Sequence, residues 1–170
     1  MFHATGILDF EGHPHPRTTA LLATGDNFMP ASWHMPVSKL PFRYAVAVRE
    51  ENHTHKLLHE NKEFSLNFLD FSFAEAYQIA GEHHGGDKFL KTRLHPKKAQ
   101  EIQSTLIEEA YMIYECKVID VLNFGDHDLF IADVVCTHNA QTAKNSPTLF
   151  LGKGYYDTLK QNYSRQVRIV

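Results

Sequence analysis

Apolar residues recur along this chain mainly at the spacing of β-strands. Residues 63–69 (EFSLNFL) alternate cleanly, with Phe64, Leu66 and Phe68 on one face and Ser65 and Asn67 on the other. Residues 44–48 (YAVAV) form a near-continuous apolar run, as expected where both faces of a strand are covered. Residues 18–24 (TTALLAT) are a short apolar run that follows turn-prone prolines. Two longer strands are predicted at 112–122 and 128–137, with a tight turn at Gly125 and Asp126 between them. A last short strand falls at 148–151.

Helical signals are fewer. Residues 54–61 (THKLLHEN) open on a good N-cap residue, Thr54, and Leu57 and Leu58 supply an apolar face. Residues 72–81 (SFAEAYQIAG) begin with Ser72, carry Glu75 three positions on and stop at a glycine, which predicts a capping box and a Gly stop. A weaker helix is predicted over 97–110. Strands dominate and are not separated by helices at regular βαβ spacing, so the pattern predicts an antiparallel barrel with a few short peripheral helices. No GxGxxG or GxxxxGK[ST] run occurs, which removes the usual dinucleotide and P-loop phosphate sites.

Composition changes this picture little. The 170 residues are expected to form one domain over 1–170, and 43% hydrophobic with 22% charged residues is ordinary for a globular chain. A net charge of −3 without any basic run argues against a nucleic-acid partner. Apolar runs fall far short of the ~20 residues that span a bilayer, so no membrane association is expected. The N-terminus shows no basic head followed by an apolar stretch, so no signal peptide is expected. Cys116 and Cys136 lie in apolar, strand-like segments and read as reduced core thiols, consistent with a cytoplasmic protein. The close pairs among the twelve histidines (His13/His15, His53/His55 and His83/His84) have no zinc-ligand spacing, and no metal site is expected.

Chemistry concentrates in residues 30–42, PASWHMPVSKLPF, which hold the only tryptophan, three prolines, two serines and a histidine. Pro36 and Pro41 cannot donate to a ladder, so the segment reads as a loop and not a buried strand. Such a loop suits a flat aromatic ligand, which would need close backbone approach and small hydroxyls.

The ordered set ASWHMPVS, THKLL (54–58), EFSLNFL, IAG (79–81), Asp87-Lys88-Phe89 and GDHDLFIADV (125–134) resembles the flavin reductase-like family of FMN-binding split β-barrels, flavoredoxins and ferric reductases included. The likeness runs over roughly residues 15 to 155. It implies a six-stranded Greek-key barrel, a homodimer with FMN near the subunit interface, and reduction of flavin by NADH or NADPH. Electrons would then pass to free flavin, a ferric complex or a redox partner protein. Two other readings stay open: a flavoredoxin-like carrier that NAD(P)H does not reduce directly, and a non-catalytic flavin-binding module.

On this resemblance Ala31, Ser32, Trp33 and His34 face the flavin ring, the small residues and backbone amides supplying close approach and donors. Trp33 reads equally as an anchor in the core or at the dimer interface. Ser38 reaches the ribityl chain or the phosphate, or else bonds its own backbone. Thr54 and Lys56 at a helix start, and Lys88 after the Gly85-Gly86 turn, suit the phosphate. Asn67 stands among large apolar neighbours and is expected close to the flavin. His127 is the histidine expected beside the ring, where an imidazole offsets developing charge or orients a nicotinamide. Leu40-Pro41 has one proline where the family shows two, and His34 and Met35 replace small residues, so the substrate pocket departs from the family pattern. Lys153 to Tyr156 either close over the ring or sit at the dimer interface.

Overall fold

In chain order the computed structural model contains β1 (Arg17–Thr18), β2 (Ala20–Thr24), β3 (Asn27–Ala31), β4 (His34–Lys39), β5 (Phe42–Arg49) and α1 (His53–Asn61). These are followed by β6 (Glu63–Phe68), a 3-10 turn (Phe71–Phe73), α2 (Ala74–Glu82), α3 (Lys88–Thr92), β7 (Pro96–Lys97) and β8 (Leu106–Ile107). The chain ends with β9 (Met112–Asn123), β10 (His127–Asn139), β11 (Leu149–Gly152) and β12 (Tyr155–Asp157). The structure describes residues 14–83, 87–140 and 146–159. His13, His84 and the expected Gly85-Gly86 turn lie outside the described residues.

Seven strands form one antiparallel sheet in the order β3-β2-β6-β9-β10-β5-β4. Its two edges, β3 and β4, are consecutive in the chain and joined only by Ser32 and Trp33. The Cα atoms of Ala31 and His34 therefore lie no more than about 10 Å apart, and the sheet curls until its edges meet. Side chains close the seam in place of a ladder: His34 Nε2 donates to the Thr18 carbonyl (3.1 Å) and Thr19 Oγ1 to the Ala31 carbonyl (3.2 Å). This is the expected split barrel, with seven strands where six were expected.

Two hydrophobic cores explain the apolar runs. On β2, Ala20 and Leu22 point into the barrel with Tyr44, Val46, Leu66 and Phe130. Leu21 and Ala23 point the other way, into a core with Tyr77, Ala80, Ile102 and Ile107. A strand clad on both faces has no polar face to show, and all five residues of β2 are buried. At roughly 25 cal/mol per Å² of apolar surface removed from water, such positions dominate the stability.

Three expectations need correction. Residues 30–42 are mostly strand and not loop. Pro36 is tolerated because β4 is an edge strand with one unpaired side, and its ladder to β5 shifts register between Pro36 and Ser38. The helix predicted over 97–110 does not form. The Glu115 carboxylate takes the amides of Gln100, Glu101 and Ile102, and Glu63 takes those of Gln103 and Ser104. Those donors therefore serve strand side chains instead of helical carbonyls. Capping also differs: Asp70, not Ser72, caps the turn before α2, accepting from the Ser72 amide at 3.0 Å. Helix α1 begins at His53 with Asn52 as its N-cap, two residues earlier than the Thr54 cap expected. No helix among the described residues is long and apolar enough to cross a membrane.

Candidate functional site

A cleft of about 410 Å³ opens on the outer face of β5 and β10, against the seam. Alternation along β5 builds its floor: Tyr44, Val46 and Val48 enter the barrel core, leaving Ala45 and Ala47 on the other face. Two alanines leave a shallow surface where larger residues would fill it. Leu129 extends this floor from β10, and Arg17, Thr18, Ser32, Trp33, His34 and Met35 form the walls.

The walls are held in place by their own contacts. The Trp33 ring stacks on His127 with centroids 4.6 Å apart and planes 17° from parallel. The Arg17 guanidinium lies 5.9 Å from the same ring centroid. His127 Nδ1 donates to Asp126 Oδ1 at 2.7 Å, and Arg49 Nη2 donates to the other oxygen at 3.3 Å. The His127 bond chiefly, with Arg49, holds the exposed Asp126 carboxyl below its usual value. His34 is pinned at both nitrogens, donating from Nε2 to Thr18 and accepting at Nδ1 from the Tyr44 hydroxyl (2.9 Å). Burial lowers its pKa against the opposing pull of the Thr18 carbonyl, so it serves as a neutral wall.

A second cleft, of about 260 Å³, lies where β3 meets the start of α1 and the end of α2. Met29 and Pro30 line it from β3, with Asn52, His53 and Thr54 at the helix start, and Gly81, His83 and Lys88 opposite. Lys88 is 1% exposed, donates from Nζ to the Phe28 carbonyl and lies 5.6 Å from the Phe28 ring centroid. Burial pulls its pKa down to about 8. Thr54 Oγ1 accepts from Asn27 Nδ2 at 2.8 Å. A helix start, a hydroxyl and a buried ammonium make this cleft suited to an anion. Met29 and Pro30 line this cleft and Ser32 to Met35 the first, so one short stretch of chain serves both.

The family model for the flavin reductase like domain matches residues 12–159. The chain belongs to this family. A protein of Pyrococcus abyssi is 30% identical over 125 residues, which cover 71% of this chain and 73% of that protein. An FMN-binding protein of Thermus thermophilus, crystallised with 1-cyclohex-2-enone, is 28% identical with a TM-score of 0.81 over 93% of this chain and 94% of that one. Flavoredoxin of Desulfovibrio vulgaris (Miyazaki F) shares the fold at 19% identity, with a TM-score of 0.80 over 95% of this chain and 97% of its own.

Within this flavin reductase-like frame the expected site residues divide. Ser32, Trp33 and His34 line the first cleft, and His127 adjoins it through Trp33. Thr54 and Lys88 meet in the second. The other four lie elsewhere. Ala31 is buried in the barrel core behind the seam. Ser38 pairs with Arg43 at the far end of β4, away from the cleft. Lys56 stands two residues, and so about 200°, round α1 from Thr54. It is 76% exposed and pairs with Glu60. Asn67 is fully buried but spent on the fold: Nδ2 donates to the Leu21 carbonyl and Ser65 Oγ, and Oδ1 accepts from the Ile107 amide. Sequence reasoning missed Arg17, Ala45, Ala47 and His83. The alternation of YAVAV was the one available signal, since it puts both alanines on one face. Cys136, expected in the core, is only partly buried, whereas Cys116 is fully so.

Proposed function

We propose that this chain binds FMN, its ring in the first cleft and its phosphate in the second, and uses it to move electrons from NADH or NADPH to an acceptor. The observation that carries this reading is that one short stretch serves both clefts: Ser32 to Met35 line the flat-floored cleft walled by Trp33, and Met29 and Pro30 line the anion-suited cleft holding Lys88. When bound, FMN supplies acceptance of a hydride and release of electrons singly or in pairs. The protein supplies the surroundings. Ala45, Ala47 and Leu129 give an apolar floor, and Ser32 offers a hydroxyl at its edge. Lys88, Thr54 and the amides at the start of α1 suit the phosphate. His127, fixed by Asp126, keeps Trp33 in place and is positioned to orient a nicotinamide.

The acceptor is proposed as free flavin, a ferric complex or a partner protein. A homodimer is proposed as well: Met35 (54% exposed), Val37 and Leu40 (93%) leave an apolar stretch along the β4 edge beside the first cleft. Light scattering that gives a monomer mass would remove that part. The free thiols Cys116 and Cys136 fit a reducing cytoplasm.

The test is the visible spectrum of the purified protein before and after anaerobic NADH, then NADPH. A bound-flavin spectrum that bleaches supports the whole reading. Bound flavin that neither nucleotide reduces overturns the NAD(P)H step and points to a carrier fed by another protein. A colourless protein that takes up no added FMN overturns the flavin reading.

A further inference from the structure

His55 and His59 stand one turn apart on α1 and converge on Asp128 at the start of β10. Each Nε2 lies 2.8 Å from the same Asp128 oxygen, Oδ2, and one donor atom from each of the three residues falls within 4.8 Å of the others. Neither cleft uses this trio. Asp128 shares the inward face of β10 with Phe130, whereas its neighbour Leu129 faces the first cleft.

We propose that His55, His59 and Asp128 bind a divalent first-row transition ion of the zinc type. The spacing of four places both imidazoles on one helix face. Two nitrogens and one carboxylate oxygen suit zinc, cobalt, nickel or copper and not calcium or magnesium, which take oxygen ligands. Ligand atoms about 2.0–2.1 Å from such an ion stand roughly 2.9–3.4 Å apart, so both 2.8 Å contacts to Asp128 are already near coordinating distance. Binding requires that each neutral ring exchange its Nε2 proton for one on Nδ1 through solvent, with no net proton change, which leaves the Nε2 lone pair for the ion.

The surroundings fit this use. Asn123 Nδ2 donates to the other Asp128 oxygen at 2.8 Å and orients the carboxylate, as partners behind metal ligands do. Phe130 packs edge-on against both imidazoles and keeps one side dry. His59 is 38% exposed, which leaves a way in for the ion and for water. A second cluster, Glu115, Cys136 and His138, lacks this fitness because the Glu115 oxygens already take three backbone amides. An ion at Asp128 would clasp α1, which carries Thr54, to the β9–β10 hairpin.

The experiment is a Zn²⁺ titration of the full chain after chelator treatment and dialysis, read by calorimetry and by melting temperature. The wild type is expected to take one tightly held Zn²⁺ per chain and to melt higher with it. His59→Gln, a half-exposed position where the fold should persist, is expected to weaken that site at least tenfold, and His138→Ala to leave it intact. Asp128→Asn, which keeps the shape of the carboxylate, is expected to abolish the visible bands of Co²⁺ bound in place of zinc. No tight Zn²⁺ site in the wild type, a site unmoved by His59→Gln, or a site lost in His138→Ala would each overturn the proposal.

Discussion

Asn67 and Lys88 are both polar, both almost fully buried, and both expected beside the flavin, yet the fold uses them in opposite ways. On β6, Asn67 sits between two strands and the residues 97–107 segment, and each of its amide atoms bonds a protein group. Lys88, at the start of α3, makes one bond to the Phe28 carbonyl and faces a cleft that also holds Thr54. A buried polar group costs free energy unless partnered, so the two sites differ in who supplies the partner. At Asn67 the protein does, and the residue is structural. At Lys88 the cleft leaves room for a ligand to do so.

The largest effect that sharpens this contrast is on stability at Asn67. Asn67→Ala leaves the Ile107 amide and the Leu21 carbonyl without their partner, at about 1–3 kcal/mol for each group. Urea unfolding should show a loss of about 3 kcal/mol, and FMN affinity of the folded fraction should stay unchanged. A stable variant with weakened FMN binding would reverse the roles of the two residues. Lys88→Met should do the opposite: FMN binding weaker by ~10–100-fold, as for loss of a charge-assisted bond, with little change in the unfolding midpoint.

The pH dependence adds a smaller, signed effect. Burial lowers Lys88 from its ordinary 10.5 to about 8, so the folded protein gives up this proton before the unfolded chain does. Between those values the unfolded chain binds more protons, and folding stability should rise with pH. FMN affinity should fall over the same window, because the cation that meets the phosphate is lost. Equilibrium dialysis at pH 7, 8 and 9 measures this, and Lys88→Met should flatten the trend. The smallest effects belong to Lys56→Ala and Ser38→Ala, each within about 0.5 kcal/mol in stability and silent in FMN binding. A tenfold change in affinity at either would mean that a second copy of the chain brings that side chain to the ligand.

Much of this was legible in the chain itself. Clean alternation in EFSLNFL and the near-continuous YAVAV located β6 and β5, because a strand's faces differ only where their surroundings differ. Residues 97–110 were not legible, since their backbone donors are captured by Glu115 and Glu63 from strands far along the sequence. The run PASWHMPVS misled for a related reason: proline breaks a central strand but not an edge one, and edge position is a property of the assembled sheet. Of the residues picked by type, Ser32, Trp33, Thr54 and Lys88 line the two clefts. Lys56 and Asn67 do not: helical phase turns Lys56 away, and tertiary structure supplies the partners of Asn67. The trio of His55, His59 and Asp128 escaped notice because histidines were compared with near neighbours and not at helical spacing.

Trp33 is the only tryptophan in the chain, and it walls the first cleft. Its fluorescence during titration with FMN therefore tests the central claim directly. The expected result is quenching that saturates at one FMN per chain. Binding of FMN by dialysis with Trp33 emission unchanged, or no binding at all, would contradict it.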